Sequence, residues 1–178
     1  MSNIEHLKYP IGRYAQPETI DHDTVVAWIQ AIEDFPEKLA NLTSDLSNNQ
    51  LDTRYRENGW TVRQVVHHCY DSHVNSYVRF KWALTEDVPL IKPYDEASWC
   101  ELADSKLAPI EMSIAALKAL HAKWVYLLKG LSENELNRTF IHPDYDQEYT
   151  LKEVISLYAW HCDHHFAHIY ELRKRKGW

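Results

Sequence analysis

Glycine is nearly missing from this chain, with 4 in 178 residues, and so little of it leaves small room for loop-rich architecture. Cysteine is as scarce. Cys69, Cys100 and Cys162 are an odd number that cannot all pair within the chain, and the opening MSNIEHLKYPIG has neither the basic nor the apolar region of a secretory leader. Reduced thiols in a cytoplasmic protein are therefore expected, each cysteine acting as a small buried hydrophobe. No apolar run approaches the about 20 residues that a membrane span needs. Positive charge is in deficit too: 19 Lys and Arg against 26 Asp and Glu give a net charge of -7, which argues against nucleic acid as the main partner. The basic run RKRK at 173–176 stands directly before Gly177. It reads as a helix C-terminus, where cations complement the dipole and glycine supplies the stop.

Histidine is what the chain has in excess. It holds 11, and the nine-residue stretch WHCDHHFAH carries His161, His164, His165 and His168.

The length suits one domain with a single core. The first twenty residues, with Pro10, Gly12 and Pro17, read as an extended arm. A helical period runs from Asp23 toward Leu46, with Pro36 expected to kink or restart it. TVRQ at 61–64 is a capping box that opens a second helix, whose apolar stripe is Val62, Val65, Val66, Cys69, Tyr77, Phe80 and Leu84. Residues 86–108, with two prolines and weak periodicity, form a long connection of the kind that is often functional. A third helix follows Pro109 and stops near Gly130. SENE at 132–135 starts a turn, and FIHPDYDQEYT reads as irregular chain or a small hairpin. TLKE at 150–153 is a second capping box, launching the last helix from Leu151 to about Lys176. Four long amphipathic helices imply an all-α four-helix bundle.

Residues at i and i+4 share one helix face, so the last helix offers two histidine pairs: 161 with 165, and 164 with 168. Val154, Tyr158, Cys162, Ile169 and Leu172 define its apolar side. His161 and His165 fall within that side, while His164 and His168 lie on its flank. The second helix carries His67, His68 and His73. His73 is on the apolar stripe, whereas His68 shares a face with Thr61, Ser72, Asn75 and Arg79, so both are plausible third ligands. A single histidine on an apolar face is ordinarily a hydrogen-bonded core residue. An i, i+4 pair with another cluster on a separate helix points instead to a metal.

WTVRQVVHHCYDSHVNSYVRFKWALTE (60–86), KPYDEASW (92–99) and LYAWHCDHHFAHIYELRKRKGW (157–178) resemble the YfiT-type branch of the DinB-like proteins, and YPIGRY (9–14) and HPD (142–144) fit the same branch. The resemblance implies an antiparallel four-helix bundle that forms homodimers and binds one divalent metal, Zn²⁺ or Ni²⁺, through His68, His161 and His165. It implies metal-dependent hydrolase activity on a small molecule. Some DinB-like proteins are instead transferases that add a low-molecular-weight thiol, such as bacillithiol, to an electrophile.

Three protein ligands leave a metal an open position, the pattern of a catalytic site. Water there is acidified to a pKa of about 7, and a thiol there is held as thiolate. No glutamate adjoins the ligands as in HExxH, since the sequence reads HCDHH and Asp163 points away. That absence leans toward thiol chemistry, unless Asp95, His142 or the 92–99 loop supplies a base. A metal-binding bundle that catalyses nothing is a third reading. The substrate pocket is expected under the 86–100 loop and the N-terminal arm. Arg79, Asn75, Tyr94, Asp95 and Trp99 are the candidate contacts, Arg79 for an anionic group.

Overall fold

In a computed structural model, residues 3–178 are described. The arm is not extended throughout. After Met1 and Ser2, which lie outside the described residues, it begins with a short helix, α1 (Asn3–Lys8). Glu5 in the first turn and Lys8 in the last complement its dipole. Pro10 cannot continue it, and the chain turns at Gly12, whose φ of 85° needs a residue without a side chain. Six residues are too few to show a helical period, so sequence pattern could not separate α1 from extended chain.

Asp21 caps α2 (His22–Thr43), its side chain accepting from the Thr24 amide at 2.8 Å. The helix passes through Pro36 without restarting. Proline has no N–H, so the Ile32 carbonyl, four residues earlier, loses its helical donor. A short helix α3 (Asn48–Leu51), with its own Ser47/Gln50 capping box, precedes α4 (Val62–Thr85), which opens on the Thr61/Gln64 box as TVRQ requires.

The connection that follows is more ordered than its periodicity suggests. It holds α5 (Glu96–Trp99), capped by Asp95, and α6 (Ala103–Leu107). Then come α7 (Ile110–Lys129), ended at Gly130, and α8 (Glu133–Leu136), with a Ser132/Glu135 box in place of the simple turn. The FIHPDYDQEYT stretch is an antiparallel hairpin of β1 (Thr139–His142) and β2 (Gln147–Thr150), pairing Thr139 with Thr150 and His142 with Gln147. Thr150 and Glu153 box the start of α9 (Leu151–Lys176), and Gly177 ends it at φ 69°.

The four long helices form a four-helix bundle. Both α2 and α4 pack on α7 and α9, which sets α2 diagonally opposite α4, so both the α2-to-α4 and α7-to-α9 links cross a diagonal. Ile32, Leu39, Val65, Val66, Phe80, Leu117, Trp124, Ile155 and Ile169 are fully buried between them. Each such side chain contributes roughly 1.5–3 kcal/mol on leaving water. Cys69, Cys100 and Cys162 are free and buried. No helix among the described residues is long and apolar enough to cross a membrane. Set among the apolar side chains are buried polar ones, His73, Ser76 and His121 among them. They belong to the site.

Candidate metal centre

The capping box at Thr61 opens α4, and the rotation of that helix in the bundle turns His68 toward α9. His161 and His165, four residues apart on α9, meet it there. A ring nitrogen of each of the three lies within 4.8 Å of the others. All three are held neutral. Burial pushes His68 down to about 3, helped by the neighbouring His164, and burial followed by the mutual proximity of the rings takes His161 and His165 well below the ordinary histidine value. Neutral imidazoles keep the lone pairs that a divalent ion requires. His68 Nδ1 is buried without a hydrogen-bond partner among the described residues. A converging, deprotonated, all-nitrogen donor set with an orphaned ring nitrogen fits a Zn²⁺- or Ni²⁺-type ion.

Hydrogen bonds fix which nitrogen each ring presents. His121 Nδ1 lies 2.6 Å from the Ile32 carbonyl. A carbonyl only accepts, so Nδ1 carries the proton and His121 Nε2 is an acceptor. His73 Nδ1, 2.7 Å away, must then donate to it. That leaves His73 Nε2 to accept from His161 Nδ1 at 3.0 Å, and His161 is left with an Nε2 lone pair. The far end of this relay is the carbonyl that Pro36 deprives of its helical donor. A second relay runs outward: His168 Nε2 donates to the Lys8 carbonyl at 3.0 Å, so its Nδ1 accepts from His165 Nδ1 at 3.4 Å, again leaving Nε2. His67 belongs to neither, being bound to Ser113 Oγ and the Ala108 carbonyl.

The cluster opens into a cavity of about 620 Å³. Lys8 and Tyr9 from the arm and Pro93, Tyr94 and Glu96 from the long connection line it, together with His142 of the hairpin. Of the candidate contacts, Arg79 and Tyr94 face it. Asn75, Asp95 and Trp99 do not line it. Asn75 donates to the Asp71 carbonyl at 2.8 Å, and Asp95 is committed to Ser98, accepting from its amide at 3.0 Å and its hydroxyl at 2.6 Å. Trp99 packs on Tyr94, with ring centroids 4.7 Å apart, and is 38% exposed. Thr61 is occupied as a cap. Asp163 is exposed. His164 is not a bystander on the flank: it lines the cavity, stacks on Trp160 at 4.3 Å, and keeps a buried Nδ1 without a partner.

The sequence profile of the DinB superfamily matches residues 31–169, which hold both histidine clusters. The chain belongs to the DinB superfamily. Within it, the chain is 50% identical over 173 residues to a Bacillus subtilis (strain 168) protein named "Putative metal-dependent hydrolase YfiT", covering 97% of both. A relative from Bacillus cereus (strain AH820), also named as a metal-dependent hydrolase of that standing, is 54% identical over 175 residues, 98% of this chain and 100% of the relative. The solved structure of Bacillus subtilis YfiT, described as having "an unusual four-helix bundle topology", superposes with a TM-score of 0.95, covering 97% of this chain and 99% of that one. The diagonal connections of this DinB-superfamily bundle accord with that description.

Sequence pattern passed over three participants. His121 sits on the α7 stripe with Leu117, Trp124 and Leu128, where it reads as a core position. Ser76 reads as a small polar residue of no consequence, and Pro36 as a mere helix disruption. Each had a signal, but its meaning depends on which helix lies opposite.

Proposed function

We propose that this DinB-superfamily protein is a metal-dependent hydrolase of a small molecule, with His68, His161 and His165 holding one divalent ion, Zn²⁺ or Ni²⁺, per chain. The observation that carries the reading is the convergence of three neutral imidazoles, His68 and His165 buried and His161 half-buried, at the wall of a substrate-sized cavity. When bound, the ion supplies the Lewis acidity that activates water. The protein's own part is orientation and proton handling. The two relays aim His161 and His165. Trp60, with ring centroids 4.6 Å from His68 and 6.4 Å from His165, shields the cluster from bulk water. With Asp95 used as a helix cap, the uncommitted Nδ1 of His164, whose pKa burial lowers to about 4, is the proton acceptor.

The test is elemental analysis alongside hydrolysis of a panel of small esters and amides. His161→Ala and His165→Ala are expected to lose the bound ion and at least about a hundredfold in rate. One tightly held metal per chain in either variant would refute the ligand set.

A second reading, transfer of a low-molecular-weight thiol to an electrophile, is favoured by one observation: among the described residues no carboxylate joins the three histidines, and a thiolate nucleophile needs none. Thiol consumption with an electrophile, lost on chelation and without ester hydrolysis, would select it. A bundle that binds metal without turnover is the outcome if both assays stay silent while metal binds. We further propose a cytoplasmic homodimer, supported by the part-exposed stripe of Val74, Val78 and Trp82 on α4. Sedimentation as a concentration-independent monomer would remove the dimer.

A further inference from the structure

One wall of the cavity is a single face of α4. His68, Ser72, Ser76 and Arg79 follow one another at i, i+4, i+8 and i+11, within about 20° of three whole turns, and all four line the cavity. The two serines are small, so the groove between the histidine and the arginine stays open. Along the helix axis the two Cα atoms lie about 16 Å apart. Helical side chains lean toward the N-terminus, and the arginine, longer than the histidine, reaches back along the groove toward the cluster.

The far end of this groove has donors without acceptors. Ser72 is satisfied, its Oγ 3.2 Å from the Tyr158 hydroxyl. Ser76 Oγ is buried and has no partner among the described residues, and Arg79 Nε is likewise buried and orphaned. The guanidinium has one long contact, Nη2 to the Lys92 carbonyl at 3.5 Å, and forms no ion pair among the described residues. Opposite, β1 packs against α4 and ends at His142, whose Nδ1 is again buried without a partner. Burial, and then the nearby Arg79 charge, keep that imidazole neutral. Glu96 and Asp144 also line the cavity, but neither pairs with Arg79. A half-buried cation with no counter-ion and an orphaned, buried Nε, flanked by two unsatisfied polar groups, is an arrangement that folding alone disfavours. What it lacks is an acceptor carrying one negative charge.

We propose that Ser76, Arg79 and His142 form a subsite for a carboxylate at one end of the substrate, whose reacting group sits further along the groove at the histidine cluster. A carboxylate rather than a doubly charged phosphate is indicated because the subsite offers one formal charge, with a hydroxyl and a neutral ring completing the donor set. The position of the reacting end rests on the proposed metal centre, while the anion subsite itself does not.

The experiment uses metal-free protein, so that a carboxylate has no ion to bind. The Arg79 Nε–H signal and the histidine ring signals are followed by NMR during titration with 3-phenylpropionate and, separately, with the neutral 3-phenylpropionamide. The carboxylate is expected to shift Arg79 to saturation and to bind at least about tenfold more tightly than the amide. Arg79→Gln should remove that advantage, and Arg79→Lys, which keeps the charge without the planar fork, should retain part of it. Ser76→Val, which narrows the groove and leaves the charge in place, should weaken the carboxylate as well. Equal binding of acid and amide, or an unchanged carboxylate affinity in Arg79→Gln, overturns the subsite. If the carboxylate binds as expected but no metal-loaded preparation turns over an ester or a thiol, the reaction assignment falls and the subsite stands.

Discussion

The two relays end on backbone carbonyls that helix geometry leaves without a donor, but the fold frees them in different ways. The Ile32 carbonyl lies in the middle of α2 and is free because Pro36 carries no N–H. The Lys8 carbonyl is free because α1 stops there, and the last turn of any helix has unpaired acceptors. The first relay passes through His73 and His121, which are 0% and 2% exposed and wedged among Phe35, Trp124 and Tyr158. The second passes through His168 to a short helix on the exposed arm, over a 3.4 Å contact against 2.7 and 3.0 Å in the first. His161 is thus positioned by the core, and His165 by the N-terminal arm. One ligand of the proposed site is built in, and the other is attached.

Acid separates the two relays most strongly. Below 6.5 the unfolded chain takes up protons that buried imidazoles refuse, so stability falls with falling pH until each folded value is reached, about 4 for His121 and about 3 for His68 and His168. Each such histidine removes about 1.4 kcal/mol per pH unit, and these three together remove about 8 kcal/mol over two units, which is within the range of a typical domain's whole stability. Metal-free protein is therefore expected to unfold on acidification between about pH 6 and 4.5. The relay that ends on α1 should open first: the ring signals of His168 titrate in still-folded protein, while those of His73 and His121 change only with global unfolding. A bundle that keeps its helical circular dichroism at pH 4 would show that the cluster is not buried and neutral.

Substitution sharpens the contrast at neutral pH. Groups that orient a metal's ligands typically contribute 10- to 100-fold in affinity. His73→Leu, which fills the space but takes no proton from His161, should weaken Zn²⁺ binding by about that factor. His73→Gln should restore part of it, because an amide can accept from His161 and donate to His121. His168→Leu acts through the longer contact and should cost less than about tenfold. Competitive chelator titration gives the affinities, and long-range ¹H–¹⁵N spectra of the metal-free rings report the tautomers. Equal losses at 73 and 168 would mean that the relays do not differ in kind.

How far the sequence went follows the same division. Boundaries set by local chemistry were legible: the Thr61/Gln64 and Thr150/Glu153 boxes, Gly130, Gly177 and the hairpin all lie where their residues require. His161 with His165 was legible from face geometry alone. His68 over His73 was not, because that choice depends on how α4 is rotated against α9, and spacing within one helix carries no such information. Only the family resemblance pointed to His68. The short helices α1, α3, α5 and α6 escaped because four to six residues are held by tertiary contacts rather than by a period. Asn75 shares the His68 face on a helical wheel yet turns to its own backbone, and Asp95 and Trp99 lie in the right loop but on its outer side. His73 appeared as a competing ligand, when its place in the fold is behind His161.

The smallest expected effect is also the most specific, and it concerns Pro36. In most helices an interior proline is a defect, and replacing it with alanine restores a donor and removes a clash. Pro36→Ala should therefore stabilise the bundle by about 1–3 kcal/mol, read as a higher denaturation midpoint. The same restored N–H would compete with His121 for the Ile32 carbonyl. That oxygen has two lone pairs, so the His121 bond should weaken rather than vanish, and with it the preference of His73 for donating from Nδ1. A few-fold loss of Zn²⁺ affinity should follow, together with mixed tautomer signals at His73 and His121, while His165 and His168 remain as in the parent. Stability and metal affinity would then move in opposite directions, which a simple loosening of the core could not produce. If Pro36→Ala gains stability and binds Zn²⁺ as tightly as the parent, the proline is an ordinary helix defect and the relay takes nothing from it.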